Sequence, residues 1–451
     1  MGELFRLVKP NITEKDIRKG INLFVDRNPQ VLGFCHKTSD TQYLYWDDFA
    51  YQEPSPEGVS KEVLWAATKL LRQSRSVPTP IRDEKGNLFT WSKLPYFEEF
   101  FHELDMNTGG GLFVGNAEID KANKQKLISR GIMEEAIASS QLEGAATSRQ
   151  AAKKMLREGR KPQNASEQMI VNSYLSMRSI EERYKNESMT FDLLLEMHGM
   201  ITKDTIDSQG ERPRLRKLGE PIFVSGEVDG VVYHHGPDAP FVKTELERLV
   251  RFANDELETG GFIHPMIKAI ILHFWMGYLH PFTDGNGRLA RLLFYWYLMR
   301  KGYWAFAYLP VSKVIKRHPK QYIMAYVYSE QDDNDLSYFI NYHIQKVKLA
   351  MNEFMEYVKH QSEGNVRMRE QYGIRYQLND RQIHLLQYLH GDPDATTTLN
   401  AHASVHQVSR VTANKDLKSL VGKEFLMVIK KGRNVYYSGT GKIDNLFTSS
   451  N

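Results

Sequence analysis

The loop His280-Pro-Phe-Thr-Asp-Gly-Asn-Gly-Arg-Leu-Ala-Arg291 joins two stretches that are apolar on nearly every side, Pro265 to Leu279 and Leu289 to Met299. Both stretches are predicted to be helices at the centre of a mainly α domain, because a helix without a polar face is buried. Pro281 cannot continue helical hydrogen bonding, so the first helix is expected to end there. His280 is therefore predicted to lie at a helix end, in a loop held between two core helices.

The run Asp284-Gly-Asn-Gly287 leads into the second helix. Unpaired N–H groups and the dipole at a helix N-terminus favour a bound anion, although a turn with an N-cap residue explains this run better when it is taken alone. Arg288 and Arg291 favour the anion, because they share a face in the first turn, where positive charge opposes the helix dipole. A polyphosphate is predicted to compensate for that charge.

The predicted anion site implies roles for Asp284 and His280. A carboxylate beside phosphate needs a bridging cation, and Mg²⁺ is typically held by one or two carboxylates together with phosphate oxygens. The predicted ligand is therefore Mg-ATP. A histidine with a pKa of about 6.5 accepts a proton from a hydroxyl near neutral pH, which makes His280 a candidate general base. A lone histidine at a helix end is more often structural, but the neighbouring anion site favours catalysis.

The composition is that of a multidomain protein in water. The chain has 451 residues, of which 41% are hydrophobic and 25% charged, and its net charge of +4 does not by itself indicate a nucleic-acid partner. Cys35 is the single cysteine, which excludes an intramolecular disulfide and a cysteine-based zinc site. With no signal-like N-terminus and no apolar stretch of spanning length, we expect a cytoplasmic location without a membrane partner.

Changes in composition divide the chain into three regions. Residues 1–110 are expected to be mostly helical and have no predicted chemistry, residues 111–355 form the domain around the loop, and residues 375–445 form a C-terminal module. In the first region, a helix from Lys61 to Gln73 is predicted to end near a turn at Pro78 and Pro80.

Two further features are expected near the start of the central domain. Gly109-Gly-Gly111 marks its boundary, and a helical pattern runs from Ala117 to Ser140.

Later in the domain, two β-prone runs separated by Gly226 and Asp229-Gly230 predict a hairpin. A hairpin in a helical domain has a free edge that can pair with an extended peptide; the alternative is a plain surface hairpin.

The loop from His280 to Arg291 resembles the signature of the Fic family, His-Pro-Phe-x-Asp/Glu-Gly-Asn-Gly-Arg followed by a second arginine, at every position. The resemblance extends over roughly residues 117–350. It implies a Fic-type helical domain with a β-hairpin flap that moves AMP from Mg-ATP to a Ser, Thr or Tyr hydroxyl of a target protein. In that reaction His280 deprotonates the hydroxyl, which attacks the α-phosphate and expels pyrophosphate.

The same resemblance implies roles for further residues. Asp284 holds Mg²⁺, the backbone from Gly285 to Gly287 binds the α- and β-phosphates, and Arg291 binds the γ-phosphate. Relatives that phosphorylate carry Lys at the place of Gly287, so the glycine implies AMP transfer. Tyr322 contacts the nucleoside, although the asparagine expected shortly after it is Ser329 here. The implied nucleotide-binding residues are Gly285, Asn286, Gly287, Arg288, Arg291 and Tyr322, and the implied docking residues of the flap are Ile222, Phe223, Val224 and Ser225.

The run Ser139-Ser-Gln-Leu-Glu-Gly144 resembles the family's inhibitory motif, Ser/Thr-x-x-x-Glu-Gly/Asn. Ser139 and Glu143 are one helical turn apart and share a face. The resemblance implies that Glu143 binds Arg291 in the place of the γ-phosphate, with Gly144 ending the motif. The alternatives are a plain ion pair at a helix end, and a glutamate that orients water for the removal of AMP. The direction of the reaction therefore stays open.

Two other kinds of site are suggested by parts of the sequence. His273, His280 and His234-His235 invite a metal site, which is disfavoured because only Asp284 offers a nearby carboxylate and His273 lies in an apolar helix. The C-terminal module resembles a winged helix-turn-helix, with a recognition helix and a basic wing, so a DNA-binding regulator is the alternative function. Such modules also bind proteins or dimerise, which leaves a homodimer open. The residues assigned to the recognition helix, where basic side chains could contact phosphates, are Ser409, Arg410, Thr412, Asn414, Lys415 and Lys418, and the wing tip runs from Lys430 to Arg433.

Overall fold

The computed structural model describes residues 3–108, 113–114, 117–118, 121–205, 214–226, 230–257, 261–368, 374–390, 395–406, 408–431 and 434–443. Within these ranges the chain is mainly helical, and its short strands form four small antiparallel sheets. The predicted fold class is therefore confirmed at the level of a mainly helical protein. In the described part of the chain, none of the helices combines the length and apolar character needed to cross a bilayer.

The N-terminal region mixes helices with a two-stranded sheet. Its elements are α1 (Glu14–Val25), α2 (Pro29–His36), α3 (Trp46–Phe49), α4 (Lys61–Arg75), β1 (Ser76–Arg82), β2 (Leu88–Ser92) and α5 (Phe97–Thr108). The helix predicted from Lys61 is confirmed, but the turn predicted at Pro78 and Pro80 is wrong, because both prolines lie in β1. A strand of a two-stranded sheet tolerates proline, since N–H groups on its outer edge need no partner in the sheet.

The N-terminal region shares a continuous hydrophobic core with the central domain. The ring of Phe89 in β2 packs edge to face on Phe274 and Tyr278, at centroid distances of 5.3 Å in each case. Leu336 donates a backbone hydrogen bond to Thr90 at 2.8 Å. The sheet β1–β2 therefore supports the helix that leads to His280.

The central domain contains most of the helices. Its elements are β3 (Phe113–Val114), β4 (Ala117–Glu118), α6 (Lys121–Gln141), α7 (Arg149–Glu158), α8 (Ala165–Glu182), α9 (Phe191–Thr202), β5 (Phe223–Ser225), β6 (Val232–His235), α10 (Ala239–Ala253), α11 (Pro265–Leu279), α12 (Asn286–Arg300), α13 (Val311–Ile315), α14 (Pro319–Gln331) and α15 (Ser337–Met368). The helix predicted from Ala117 is wrong at its start, because Ala117 pairs with Val114. The boundary predicted at Gly109 to Gly111 lies outside the described residues.

The helices α11 and α12 form the centre of the domain, as the sequence predicts. The indoles of Trp275 in α11 and Trp296 in α12 are fully buried, and burying a large apolar side chain contributes roughly 1.5–3 kcal/mol. Helix α11 begins at Pro265 behind a capping His264, and it ends where His280 adopts φ 45°. Two packed helices thus fix both ends of the loop between them.

The predicted hairpin is confirmed, since β5 and β6 pair in antiparallel register, with Phe223 opposite His235. Asp229 of its turn lies outside the described residues. The outer edge of β6 is covered, because Leu4 forms a parallel bridge to Val232 and the Phe5 N–H donates to the Val232 carbonyl at 2.7 Å. Among the described residues, the outer edge of β5 has no strand beside it.

The C-terminal module has its own hydrophobic core. Its elements are α16 (Ile374–Tyr376), α17 (Asp380–His390), β7 (Thr396–Thr397), α18 (Leu399–His406), α19 (Arg410–Gly422), β8 (Leu426–Lys431) and β9 (Asn434–Gly439). The strands form a sheet in the order β7–β9–β8. The winged-helix assignment stays a prediction, and Gly432 and Arg433 of the predicted wing lie outside the described residues.

Candidate active site

His280 occupies the C-cap of α11 in the left-handed backbone region. Its Nδ1 lies 2.9 Å from the Gly277 carbonyl oxygen. Because a carbonyl only accepts hydrogen bonds, Nδ1 carries the proton and Nε2 of the neutral ring has a lone pair. The side chain can therefore accept a proton through Nε2.

The pKa expected from the sequence for His280 is wrong. Burial lowers the pKa of His280 to about 4, and the positive charges of His234 and Arg216 act in the same direction. The Gly277 hydrogen bond and the carboxylate of Glu143 oppose this shift without overcoming it. The imidazole is consequently neutral around pH 7, which is the protonation state that a general base needs.

Arg216, which sequence analysis missed, fastens the end of α11 to the segments around the hairpin. Its Nε donates to the His280 carbonyl at 2.7 Å, and its Nη2 donates to the Pro237 carbonyl at 2.8 Å and the Leu279 carbonyl at 3.3 Å. Its Nη1 donates to the Glu220 carbonyl at 3.1 Å. No local pattern marks Arg216, because these acceptors come together only in the tertiary structure.

Asp284 and Arg288 are bonded to each other. Oδ2 of Asp284 accepts from Arg288 Nη2 at 2.9 Å, and Oδ1 accepts from the Gly285 N–H at 2.6 Å. The Asp284 side chain is 48% exposed, whereas Arg288 is buried and also donates to the Ile201 carbonyl. The sequence predicts that phosphate compensates for the charge of Arg288. In the structure, the carboxylate of Asp284 already pairs with that charge.

His198 is a second residue that sequence analysis missed. Its ring stacks on Phe282 at a centroid distance of 3.7 Å, and its Nε2 donates to the Asp284 carbonyl at 2.9 Å. Burial lowers the pKa of His198. His198, a neutral histidine in α9, thus holds the backbone of the loop at Asp284 and adds no charge to the site.

The start of α12 is arranged by a glycine and an asparagine. Gly285 has φ 82°, and a Cβ at that position would lie 2.6 Å from Thr202 Cγ2, so only glycine fits. Asn286 is buried and uses both groups of its amide on the backbone of Phe282, at 2.9 Å and 2.8 Å. No side chain caps α12, which leaves the first N–H groups of the helix available to an anion.

The predicted inhibitory residues meet the second arginine of the loop. Arg291 is buried and donates from Nε to Ser139 Oγ at 2.8 Å, and from Nη2 to the Ser139 carbonyl and Glu143 Oε1 at 2.9 Å each. A Cβ on Gly287 would lie 2.2 Å from Glu143 Oε1. The carboxylate of Glu143 therefore lies directly over the start of α12, and Gly144 follows it with φ 88°.

Tyr322 lies in α14, close enough to Arg291 and Glu143 for their charges to act on its hydroxyl. Its hydroxyl is hydrogen-bonded to His273 Nε2 at 2.8 Å, and burial raises the pKa of Tyr322. Ser329, which stands in place of the expected asparagine, is fully buried and accepts from the Phe339 N–H at 3.2 Å. Ser329 thus joins α14 to α15 instead of facing the loop.

The metal site suggested by the histidines is not assembled. His273 is buried in α11, and in the part of the chain that the structure describes no three His, Cys, Asp or Glu residues are grouped as metal ligands. His234 is bonded to Glu330 and to the carbonyl of Tyr278.

The hairpin lies beside His280. Gly236, which follows β6, is so close to both that a Cβ there would lie 2.5 Å from Ile222 Cγ2 and 3.4 Å from His280 Cβ. Phe223 is partly exposed at the start of β5 and contacts the ring of His235. The structure therefore brings Ile222, the first of the predicted flap residues, to the side of the predicted base, and Phe223 to Ser225 continue from it as β5.

Residues 188–298 match the family model described as the Fic/DOC family. The chain carries a Fic domain. Similar proteins include a protein adenylyltransferase Fic of Nematostella vectensis, 36% identical over 121 residues, which are 26% of this chain and 25% of that protein. Another is a protein adenylyltransferase fic-1 of Caenorhabditis briggsae, 32% identical over 183 residues, 40% of this chain and 32% of that protein. The chain thus spans about a quarter to a third of the length of these relatives.

Solved structures with this domain resemble the chain at low identity. A segment of Fic-1 from C. elegans is 17% identical, with a TM-score of 0.49 over 78% of this chain and 90% of that one. A Fic family protein from Desulfovibrio desulfuricans G20 is 19% identical, with a TM-score of 0.47 over 78% of this chain and 97% of that one.

Proposed function

We propose that this chain is a protein adenylyltransferase, which moves AMP from ATP to a Ser, Thr or Tyr hydroxyl of a target protein. The observation that carries the proposal is a neutral His280, with Nε2 unprotonated, in the loop that leads into the uncapped N-terminus of α12. A proton acceptor and an anion site thus lie in one loop. The names of the relatives matched by the Fic domain, protein adenylyltransferases, support the same activity.

In this reaction, His280 Nε2 takes the proton of the target hydroxyl. The hydroxyl oxygen forms a bond to the α-phosphorus of ATP, and the bond from that phosphorus to the oxygen leading to the β-phosphate breaks. AMP stays on the target, and pyrophosphate leaves. A base with a pKa of about 4 is a weak proton acceptor, so positioning and charge stabilisation must supply most of the acceleration.

The phosphates of ATP would bind along the backbone of Gly285, Asn286 and Gly287, and to the guanidinium groups of Arg288 and Arg291. The Gly285 N–H now donates to Asp284 Oδ1, so it would exchange that partner for phosphate. Two buried guanidinium nitrogens, Arg288 Nε and Arg291 Nη1, have no hydrogen-bond partner among the described residues. Such orphaned donors are expected at a site for a polyanion, which satisfies them when it binds. Tyr322 would contact the nucleoside.

Asp284 fits a role in holding Mg²⁺. Its half-exposed carboxylate extends from the loop toward solvent, and Mg²⁺ is often bound by a single protein carboxylate together with phosphate oxygens and water. The ion would neutralise charge on the departing pyrophosphate. Because Asp284 is bonded to Arg288 in this structure, binding of the cation would redistribute that ion pair.

Glu143 would act as a brake on the transfer. Its carboxylate is bonded to Arg291 and covers Gly287, so it occupies space that the terminal phosphates of ATP would need. The isolated chain is therefore expected to transfer AMP slowly. Glu143 is 27% exposed, so water can reach its carboxylate, and hydrolysis of AMP from a modified protein is the second candidate activity.

The test uses ATP labelled on the α-phosphate and a cell lysate as the source of targets. We expect Glu143→Gly to increase labelling of proteins over the parent chain, and Glu143→Gly/His280→Ala to abolish it. Glu158→Gly, at the exposed end of α7, is the matched control and should behave as the parent. Persistent labelling by the His280→Ala double variant contradicts the proposal, whereas release of AMP from labelled protein by the parent favours hydrolysis.

We also propose a separate, DNA-binding role for the C-terminal module. Arg410, Lys415 and Lys418 are exposed on α19, the candidate recognition helix. Because each phosphate contact releases counterions, specific retention on DNA should weaken steeply with salt. The test compares the whole chain with variants in which Lys415 and Lys418 are replaced. If even the unsubstituted chain is not retained on a DNA column at low salt, the module is assigned to protein binding instead.

A further inference from the structure

A buried histidine of the hairpin, His234, has a hydrogen-bond acceptor at each ring nitrogen. Its Nδ1 lies 2.7 Å from Glu330 Oε2, and its Nε2 lies 2.8 Å from the Tyr278 carbonyl oxygen. A carboxylate and a carbonyl can only accept, so both bonds require a proton on each nitrogen. The geometry therefore calls for an imidazolium at this position.

His234 connects three elements that surround the proposed base. It lies in β6, while Tyr278 is in the last turn of α11 and Glu330 is near the end of α14. Its ring centroid is 6.3 Å from that of His280. One side chain thus joins the inner strand of the hairpin to the helix end that presents His280.

The charges facing His234 come from each of its neighbours. Burial disfavours the imidazolium, but the carboxylate of Glu330 and the carbonyl of Tyr278 outweigh it and raise the pKa of His234. Arg216, from the segment before the hairpin, repels the positive ring. His280 contributes no charge in its neutral state, so Glu330 is the group on which the protonation of His234 depends.

We propose that His234 is a positioning residue for AMP transfer, holding β6 against the end of α11 so that a target segment paired with β5 presents its hydroxyl to His280. This inference rests on the proposed function. The free edge of β5 can hold a target in register only if β6 is itself fixed, and two bonds from one side chain fix it at the level of Tyr278. A displacement of about 1 Å at such a position can lower a rate about 100-fold.

The proposal has a pH dependence with a defined sign. His234 keeps both bonds below its raised pKa and loses one of them as the pH rises through that pKa. Transfer to a target should therefore fall on the alkaline side. Glu330→Gln keeps the size of the side chain but removes its charge, which lowers the pKa of His234 and moves the alkaline fall to lower pH.

The experiment compares three variants in the Glu143→Gly background: Glu330→Gln, His234→Asn and the control His318→Asn, an exposed histidine that precedes the same helix as Glu330. The measurements are kcat/KM for a target against pH, binding of ATP, and amide exchange of β5 and β6. We expect Glu330→Gln to move the alkaline limb down, and His234→Asn to lower kcat/KM about 10- to 100-fold. Both Glu330→Gln and His234→Asn should speed amide exchange in β6 and leave ATP binding unchanged. The His318→Asn control should match the Glu143→Gly parent in every measurement.

Identical pH profiles and identical exchange in Glu330→Gln, His234→Asn and the Glu143→Gly parent would overturn the role of His234. If the Glu143→Gly protein transfers no AMP at all, the proposed function fails, and that result is separate from the exchange measurement. Exchange in β6 then still decides whether His234 clamps the hairpin. An equal loss of ATP binding in both variants would also contradict the proposal. It would show that His234 acts in nucleotide binding or in the stability of the whole fold.

Discussion

Glu143 Oε1 lies 2.9 Å from Arg291 Nη2, and the same oxygen fills the space that a side chain on Gly287 would occupy. The two residues of the ion pair are 148 positions apart in the chain. The carboxylate thus meets the buried guanidinium at the N-terminus of α12, which is the place proposed for the phosphates of ATP. This geometry predicts that Glu143 and nucleotide compete for the same place.

Glu143→Gln tests the charge of the proposed brake. The amide keeps the size of the side chain, but its bond to Arg291 loses the charge-assisted part, and such bonds contribute about 1.5–3 kcal/mol. We expect the affinity for ATP to rise roughly tenfold, and to rise further in Glu143→Gly, where the side chain is removed. Calorimetric titration with ATP measures both. Equal affinity in the parent and the two variants would show that Glu143 and nucleotide do not compete.

Gly287→Ala tests whether the carboxylate and the phosphates use the same space. A methyl group there would lie 2.2 Å from Glu143 Oε1, so the end of the glutamate side chain must move and the ion pair with Arg291 should break. In the Glu143→Gly background this clash is absent. We nevertheless expect Gly287→Ala to weaken ATP binding in that background about tenfold or more, because the methyl group intrudes on the phosphates. Unchanged binding in the double variant contradicts the shared position.

The acid limb of the transfer reaction tests the state of His280. A general base works only when it is unprotonated, so activity is present above its pKa and is lost as the pH falls through it. Burial lowers this pKa to about 4, so the rate should stay near its maximum down to about pH 5. The measurement is kcat/KM of the Glu143→Gly protein against pH. A half-maximal rate at about pH 6.5 would instead match an exposed histidine.

Arg216→Lys tests the support of the His280 backbone. The guanidinium donates to four carbonyls, whereas an ammonium group on a flexible stem cannot reach all of them. We expect the free energy of unfolding to fall by about 2–4 kcal/mol, and kcat to fall while ATP affinity is retained. Urea unfolding and nucleotide titration measure the two effects. Arg178→Lys, in a surface pair with Glu182, is the control and should change neither.

Residues close together in the chain carry the parts of the fold that the sequence predicts. The burial of α11 and α12 follows from their uniform apolar character, and the end of α11 follows from Pro281. The hairpin follows from two β-prone runs around glycines. These features depend on side-chain chemistry over one or two turns, which the sequence states directly.

The parts that the sequence mispredicts depend on distant partners. Pro78 lies in a strand because it pairs with Thr90 of β2, and Ala117 lies in a strand because it pairs with Val114. The pKa of His280 is lower than expected because the folded chain buries its ring, which no local pattern records. Backbone propensity and a model-compound pKa give way to tertiary contacts at all three positions.

By itself, the sequence determined the loop from His280 to Arg291, its position between two core helices and the residue types on which the proposed phosphate site rests. Only the tertiary structure decided what surrounds it. Arg216, His198 and His234 meet their partners across 64, 86 and 96 positions of the chain, respectively. Hydrogen bonds and buried charges depend on distance in space, so residues that support a site from afar become visible only when the chain has folded.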